Sequence, residues 1–299
     1  MVHQRSLEAF LVLARELNFS RAAHMLHITQ STLSASIKKL EAELRTPLFA
    51  RSTRSVSLTD AGAAFLPAAR AAVEALEAAR AVVDPSGELR GHLTVGMLNG
   101  LTLVDVPALT GDFHRRHPRV RLRLETSQRG AAGLVEDVKR SRVDVAFVST
   151  DAADPQLRVV PIRKYHLRLA VAPDHPLAAR RAVTLAEIAD EPFVDMPLGF
   201  GHRTVVDRAF AQHSRIRDVL VETTDLTTIP DYVAHGLGVA LLPLELATSG
   251  SRPLATLTIS DADISWTLAI VMSATRPPSH LVTAFLDLVQ RHIRPERPF

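Results

Sequence analysis

A four-residue breaker, Asp84-Pro85-Ser86-Gly87, divides this chain into two textures that cannot share one architecture. Before it, residues 1–58 read as short helical patterns joined by tight turns, and 59–83 as an alanine-rich helical run. From about residue 92 onward, apolar strands alternate with amphipathic helices, the pattern of an α/β fold. A length of 299 residues, with 46% hydrophobic and 22% charged residues, suits two or three domains with substantial cores. No solenoid repeat or low-complexity tract interrupts them.

The chain has no cysteine, which removes disulfide scaffolds, thiolate metal sites, cysteine nucleophiles and thiol-based redox sensing together. Met1 to Asn18 does not read as a signal peptide, because Glu8, Arg15 and Glu16 interrupt its apolar residues at helical spacing. The apolar stretch Leu237–Leu244 is short and contains Pro243, so no membrane span is expected and a cytoplasmic location follows. Net charge is +3, and residues 1–60 alone carry eight Lys and Arg against five Asp and Glu. The cationic excess therefore lies at the N-terminal end.

There, Leu7, Phe10, Leu11 and Ala14 mark one face of a first helix. Asn18-Phe19-Ser20 ends it, with Ser20 a candidate N-cap for a short second helix over 21–26. Thr29 can cap a third helix running to Leu44, whose apolar residues Leu33, Ile37, Leu40 and Leu44 form one stripe. Its opposite face carries Gln30, Ser31, Thr32, Ser34, Ser36 and Lys38. Short hydrogen-bonding side chains let a helix approach base edges in the DNA major groove, where Gln can pair with adenine. Taken alone, the same face also suits a solvated surface helix.

Pro47 bars continuation of the third helix, and Leu48 and Phe49 can dock beneath it. Arg51-Ser52-Thr53-Arg54 is a basic turn and Val56-x-Leu58 alternates like a short strand. Together they read as a wing, with cations placed for DNA phosphates, which set affinity rather than sequence preference.

The segment resembles the LysR-type transcriptional regulators. The matching residues are Leu7-x-x-Phe10, Phe19-Ser20-x-Ala22-Ala23-x-x-Leu26, Thr29-Gln30-Ser31, Leu33-Ser34-x-x-Ile37-x-x-Leu40-Glu41-x-x-Leu44, Pro47-Leu48-Phe49-x-Arg51 and Leu58-Thr59-x-Ala61-Gly62. The resemblance implies DNA reading by Gln30, Ser31, Thr32 and Ser34, and phosphate contacts by Arg51, Arg54 and Lys38. Ala35 stands where many members carry a longer, often basic residue.

In the alanine-rich run, Phe65, Ala69, Ala72, Leu76, Ala79 and Val83 alternate at spacings of four and three, a coiled-coil seam. It can meet a second chain or its own domain; the resemblance favours a dimer-forming linker helix. Pro67 kinks the run unless it lies in the first turn of a restarted helix. The expected layout is a winged helix-turn-helix over 1–58, a linker helix over 59–88 and an effector domain over 89–299.

In the last region, strands are expected at Leu93–Gly96, Val120–Glu125 and Val143–Val148, with helices at Thr102–His114 and Ala131–Arg140. This strand–helix alternation implies a parallel sheet, with ligands beyond the strands' carboxyl ends. Further segments lie at 167–172, 185–189, 193–196, 203–213, 219–223, 227–235 and 239–242. A strand at 264–272 and a closing helix over 278–292 lead back to the first unit. The pattern makes two α/β lobes, about 89–163 with 268–299 and about 164–267, and resembles the periplasmic-binding-protein-like effector domain of the same family. The resemblance then implies a small-molecule effector between the lobes, near Asn99, Gly100, Leu101, Thr102, Ser127, Gln128, Phe147 and Ser149 on one side. On the other stand Met196, Phe200, His202, Arg203, Thr223 and Thr224. Gly100 stands where many members place a hydroxyl.

Arg203, opening a helix after the Gly199-Phe200-Gly201-His202 loop, favours an anionic effector, although Asp207 four residues on can pair with it instead. No Walker loop, Gly-x-Ser-x-Gly elbow or His-Glu-x-x-His motif is present, so no enzymatic activity, catalytic residue or cofactor is expected. His24/His27 and His114/His117 are too few for a metal site. A transport solute-binding protein shares the lobed pattern but not the helix-turn-helix. The expected protein is a DNA-binding homodimer or homotetramer controlled by a small molecule.

Overall fold

A computed structural model describes residues 2–51, 56–83, 88–149 and 154–294. The chain forms two compact units, Met1–Gly91 with Arg140–Arg142, and His92–Lys139 with Val143–Phe299. The breaker at 84–87 lies outside the described residues.

In the first unit, α1 (Gln4–Glu16), α2 (Phe19–Met25) and α3 (Gln30–Leu44) are followed by the short strands β1 (Phe49–Arg51) and β2 (Val56–Leu58) and by α4 (Asp60–Val83). The four-three spacing of α3 buries Leu33, Ile37 and Leu40 completely, against Leu7, Phe10, Leu13 and Ala14 of α1. Thr29 caps α3 as expected, its hydroxyl accepting from Thr32 N at 3.2 Å. The cap of α2 is Asn18, not Ser20: the extended Asn18 accepts from Arg21 N at 3.0 Å, and Ser20 lies inside the helix.

The two ends of the wing segment, near Pro47 and near Gly62, are tied to each other and to α3. Glu41 Oε1 accepts from Leu48 N (2.9 Å) and Phe49 N (3.1 Å), tying the start of the wing to α3. Thr59 donates to Pro47 O at 2.8 Å and accepts from Gly62 N at 3.0 Å. A Cβ on Gly62 would lie 2.1 Å from Leu48 O, so only glycine lets α4 start there. β1 and β2 pair antiparallel, Phe49 opposite Leu58. Phe10 meets Phe49 and Phe65 at 5.5 and 5.1 Å.

α4 runs through Pro67 without restarting, so Pro67 lies inside the helix rather than in a new first turn. Pro67 offers no N–H to Ala63, four residues back, and packing of the flanking turns offsets that loss. The expected seam divides. Ala69 is buried with Leu66 and Val73 in the unit's own core, and Phe65 packs against it, whereas Ala72, Leu76 and Ala79 are exposed. The Val83 side chain lies outside what is described.

The second unit begins with β3 (Gly91–Met97), α5 (Val106–Arg116), β4 (Val120–Thr126), α6 (Gly130–Lys139) and β5 (Val145–Ser149). The long β6 (Leu157–Val171) carries the chain into a second lobe. That lobe holds β7 (Ala182–Val183), α7 (Leu185–Ile188), β8 (Pro192–Asp195), α8 (Gly201–Gln212) and β9 (Asp218–Glu222). It continues through α9 (Ile229–Ala234), β10 (Ala240–Pro243), α10 (Leu244–Ala247) and β11 (Ala255–Ile259). β12 (Ser265–Ser273) returns the chain to the first lobe, where α11 (His280–Val289) closes it.

One sheet of order β4-β3-β5-β12-β6-β11-β7 spans both lobes, with β10 also on β6, and it is mixed rather than parallel. β3 and β5 are parallel, but the returning β12 lies between β5 and β6, antiparallel to both. Helix α5 starts at Val106 rather than Thr102, because Asp105 supplies the cap, accepting from Ala108 N at 3.0 Å, and Pro107 suits the first turn. The closing helix packs on the first lobe as expected, Phe285 meeting Phe113 at 5.6 Å and Phe147 at 6.5 Å. Among the described residues no helix is long and apolar enough to cross a membrane.

Candidate functional site

Two surfaces concentrate the polar chemistry. On α3, Gln30, Ser31, Thr32 and Lys38 are exposed and Ser34 is half-buried, while the stripe beneath is sealed. The hydroxyls of Ser31 and Thr32 gather at 2.9 and 2.8 Å around Thr29 Oγ1 at the helix N-terminus. Ser20 of α2 donates to Gln30 Oε1 at 3.0 Å, which leaves the amide N–H groups directed elsewhere. The face is thus a set of short donors and acceptors on a rigid helix, as groove readout requires. Arg51 belongs to β1, but its side chain, and all of Arg54, lie outside what is described.

In the second unit, a cavity of about 40 Å³ lies between the lobes. Half of the residues expected there line it: Asn99, Gly100, Leu101 and Ser149 from one lobe, Met196, Phe200 and His202 from the other. The lobes touch at glycines. A Cβ on Gly130 would lie 2.9 Å from the Phe200 ring, and one on Gly201 would lie 2.7 Å from Ser149 Oγ. Gly100, with φ of +68°, approaches Asp225 Oδ1 and Thr227 of the facing lobe in the same way, so a hydroxyl-bearing residue there would collide.

The other expected residues lie elsewhere. Phe147 is fully buried in the first lobe's own core, because β5 turns it toward α11. Thr102 is outside the lining, although its neighbours Leu101 and Leu103 are part of it. The Ser127 hydroxyl serves its own turn, accepting from Arg129 N at 3.2 Å, and Gln128 is exposed. Thr223 Oγ1 accepts from Asp225 N at 3.3 Å, and Thr224 is exposed. Arg203 pairs with Asp207 Oδ2 (2.7 Å) and Glu222 Oε1 (3.0 Å) and donates to Met196 O (3.1 Å).

Sequence reasoning missed the glycines Gly130 and Gly201 and the apolar Leu98, Leu103, Ala131, Leu226, Leu246 and Trp266 in the lining. Apolar residues carry no chemical signal of a site. Trp266 was the exception available, as the chain's one tryptophan.

Behind the cavity lies a buried ionic cluster. Arg217 Nη2 contacts Asp195 Oδ2 at 2.5 Å and Asp207 Oδ1 at 2.8 Å, and its guanidinium lies over Phe193 and Phe210. His202 Nε2 is 3.7 Å from Asp195 Oδ1. Burial holds the His202 pKa below the usual imidazole value, against the opposing pull of Asp195. Among the described residues no group of three His, Cys, Asp or Glu is placed to hold a metal ion.

A winged helix-turn-helix followed along the chain by a two-lobed domain with a cleft defines a ligand-responsive DNA-binding regulator. Two family descriptions match the chain, the bacterial regulatory helix-turn-helix protein of the lysR family over residues 4–63 and the LysR substrate binding domain over 86–294. The chain therefore belongs to the LysR family of transcriptional regulators, whose members regulate genes rather than catalyse reactions. The HTH-type regulator YybE of Bacillus subtilis is 34% identical over 241 residues, covering 79% of this chain and 81% of that protein. A probable hydrogen peroxide-inducible genes activator of Mycobacterium avium is 34% identical, covering 79% and 76%. The full-length OxyR variant from Pseudomonas aeruginosa superposes with a TM-score of 0.78 at 24% identity, covering 100% of this chain and 99% of that one. Full-length CbnR complexed with its target DNA gives 0.59 at 22%, covering 97% and 100%.

Proposed function

We propose that this regulator reads its operator with Gln30, Ser31, Thr32 and Ser34, holds phosphates with Lys38, Arg51 and Arg54, and responds to a small molecule bound between the lobes of residues 89–299. The observation that carries the reading is the α3 face, where an exposed row of short polar side chains stands on a fully buried apolar stripe. The regulator acts in the cytoplasm as a homodimer or homotetramer, joined in part through the exposed half of α4. Effector binding changes the lobe angle, hence the spacing of paired helix-turn-helix units and the half-sites they can hold together. The absence of cysteine means that kinship with a peroxide-inducible activator does not bring thiol oxidation as the signal.

The test is DNA selection with the purified protein, followed by titration of variants. Gln30→Ala is expected to cost about 1–3 kcal/mol at one base pair and relax preference there. Arg51→Ala or Arg54→Ala should weaken binding to every sequence and lower the salt slope by about one unit each. Equal loss of specific and random binding in Gln30→Ala would remove it from base reading.

The anionic effector expected from Arg203 would have to draw that side chain away from Asp207 and Glu222, a competition the cavity's own lining does not favour.

A further inference from the structure

The cavity between the lobes combines apolar walls with an indole N–H that no described residue pairs. Leu98, Leu103, Met196, Leu226 and Leu246 form the walls together with the Phe200 ring, and no Lys or Arg is among the described lining residues. Trp266 and His202 also line it, exposed by only 4% and 5%. Trp266 Nε1 and His202 Nδ1 are buried without a hydrogen-bond partner among the described residues.

The two residues differ in what they demand. An indole N–H can only donate, and Trp266 Nε1 has no acceptor among the described residues. His202 has protein acceptors of its own in Asp195, 3.7 Å from Nε2, and in the Leu241 backbone, so it makes no fixed demand on a ligand. Leaving the indole N–H unpaired in an apolar site is unfavourable, so it selects what binds. A full negative charge would find no cation among the described lining residues, and Arg203 is already committed to two carboxylates.

We propose that the cleft binds an uncharged, compact and largely apolar molecule carrying an acceptor for Trp266 Nε1–H; an amide or another carbonyl compound has that chemistry. The proposal rests on the cleft being the effector site and sharpens the effector's class. Admission of such a molecule requires the lobes to part, since the Gly130–Phe200 and Gly201–Ser149 contacts leave space for little more than water.

The chain's single tryptophan makes the test specific, because its emission reports this cavity alone. The full-length protein is titrated at pH 7.5 with matched pairs, benzamide against benzoate and 2-methylpropanamide against its carboxylate. Trp266 emission and thermal stabilisation are both followed. Amides are expected to bind at least tenfold more tightly than their carboxylates. Trp266→Phe keeps an aromatic ring and removes the N–H; by calorimetry it should weaken benzamide about tenfold. Carboxylates binding as tightly as amides with a Trp266 response would overturn the ligand class while leaving the site in place. Stabilisation without any change in emission would instead remove the cleft as the effector site. Unchanged benzamide affinity in Trp266→Phe, or no binding by either member of both pairs, also overturns the proposal.

Discussion

Arg217 and Asp195 form an ion pair inside the second lobe, with side-chain exposures of 2% and 4%. Asp195 Oδ1 also accepts from Met196 N at 2.6 Å, so the carboxylate fixes the end of β8 as well as the guanidinium. Such a pair adds little over well-packed apolar residues, but halving it strands a buried charge. Arg217→Met is therefore expected to cost about 3–5 kcal/mol. Denaturant unfolding followed by Trp266 emission measures it, and combining the change with Asp195→Leu should recover part of the loss. Equal stability in Arg217→Met would mean that Asp195 is solvated after all.

His202 gives the same lobe a pH dependence. Its folded pKa is depressed by burial, so the unfolded chain takes up a proton more readily. The stability that neutral His202 contributes is full above the unfolded value of about 6.5 and is lost as pH falls from there toward the folded value. His213, whose pKa is raised chiefly by its hydrogen bond to Ala209 O, acts in the opposite sense. The clean measurement is thus the difference between parent and His202→Gln from pH 7.5 to 5. Parallel curves would show that the ring does not titrate against burial.

The approach of Gly130 to Phe200 predicts a lobe-opening substitution. In Gly130→Ala the new methyl would meet the ring at 2.9 Å, from a backbone with φ of +58°. A stability loss of about 1–3 kcal/mol is expected from overpacking. Acrylamide should also quench Trp266 more strongly as the lobes are pushed apart. Unchanged quenching would show that the two lobes do not depend on this contact.

Leu76 is 43% exposed on α4, beside the exposed Ala72 and Ala79. Leu76→Asp puts a charge on that strip and should weaken self-association of the full-length chain in sedimentation velocity. A monomer–oligomer distribution identical to the parent's would show that the exposed strip of α4 adds nothing measurable to self-association.

What the sequence disclosed depended on whether a residue's role was periodic, local or distant. Leu33, Ile37 and Leu40 announced α3 by spacing, and Thr29 announced its cap. Ser20 misled because Asn18, two residues earlier, competes for the same N–H groups and wins through its extended backbone. The early strands were legible, but β11 and the first half of β6 were not, because alternating charged residues such as Arg158 and Arg163 hide a strand that crosses between lobes. In the cleft, backbone-defined positions such as Asn99, Ser149 and His202 could be placed from strand ends and helix starts. Arg203 could not, because its partner Glu222 lies nineteen residues away and reaches it only through the pairing of β8 with β9.

The crossing of the lobes by β6 and β12 has a mechanical meaning. The two strands hydrogen-bond to each other from Ser265–His166 to Ser273–Leu157, broken by one register shift between Leu268 and Ala269. Sliding one strand past the other by a single residue would turn every side chain on it to the wrong face, so translation is forbidden while torsion is not. Any rotation of one lobe against the other would have to twist these two crossing strands, whose register is interrupted between Leu268 and Ala269.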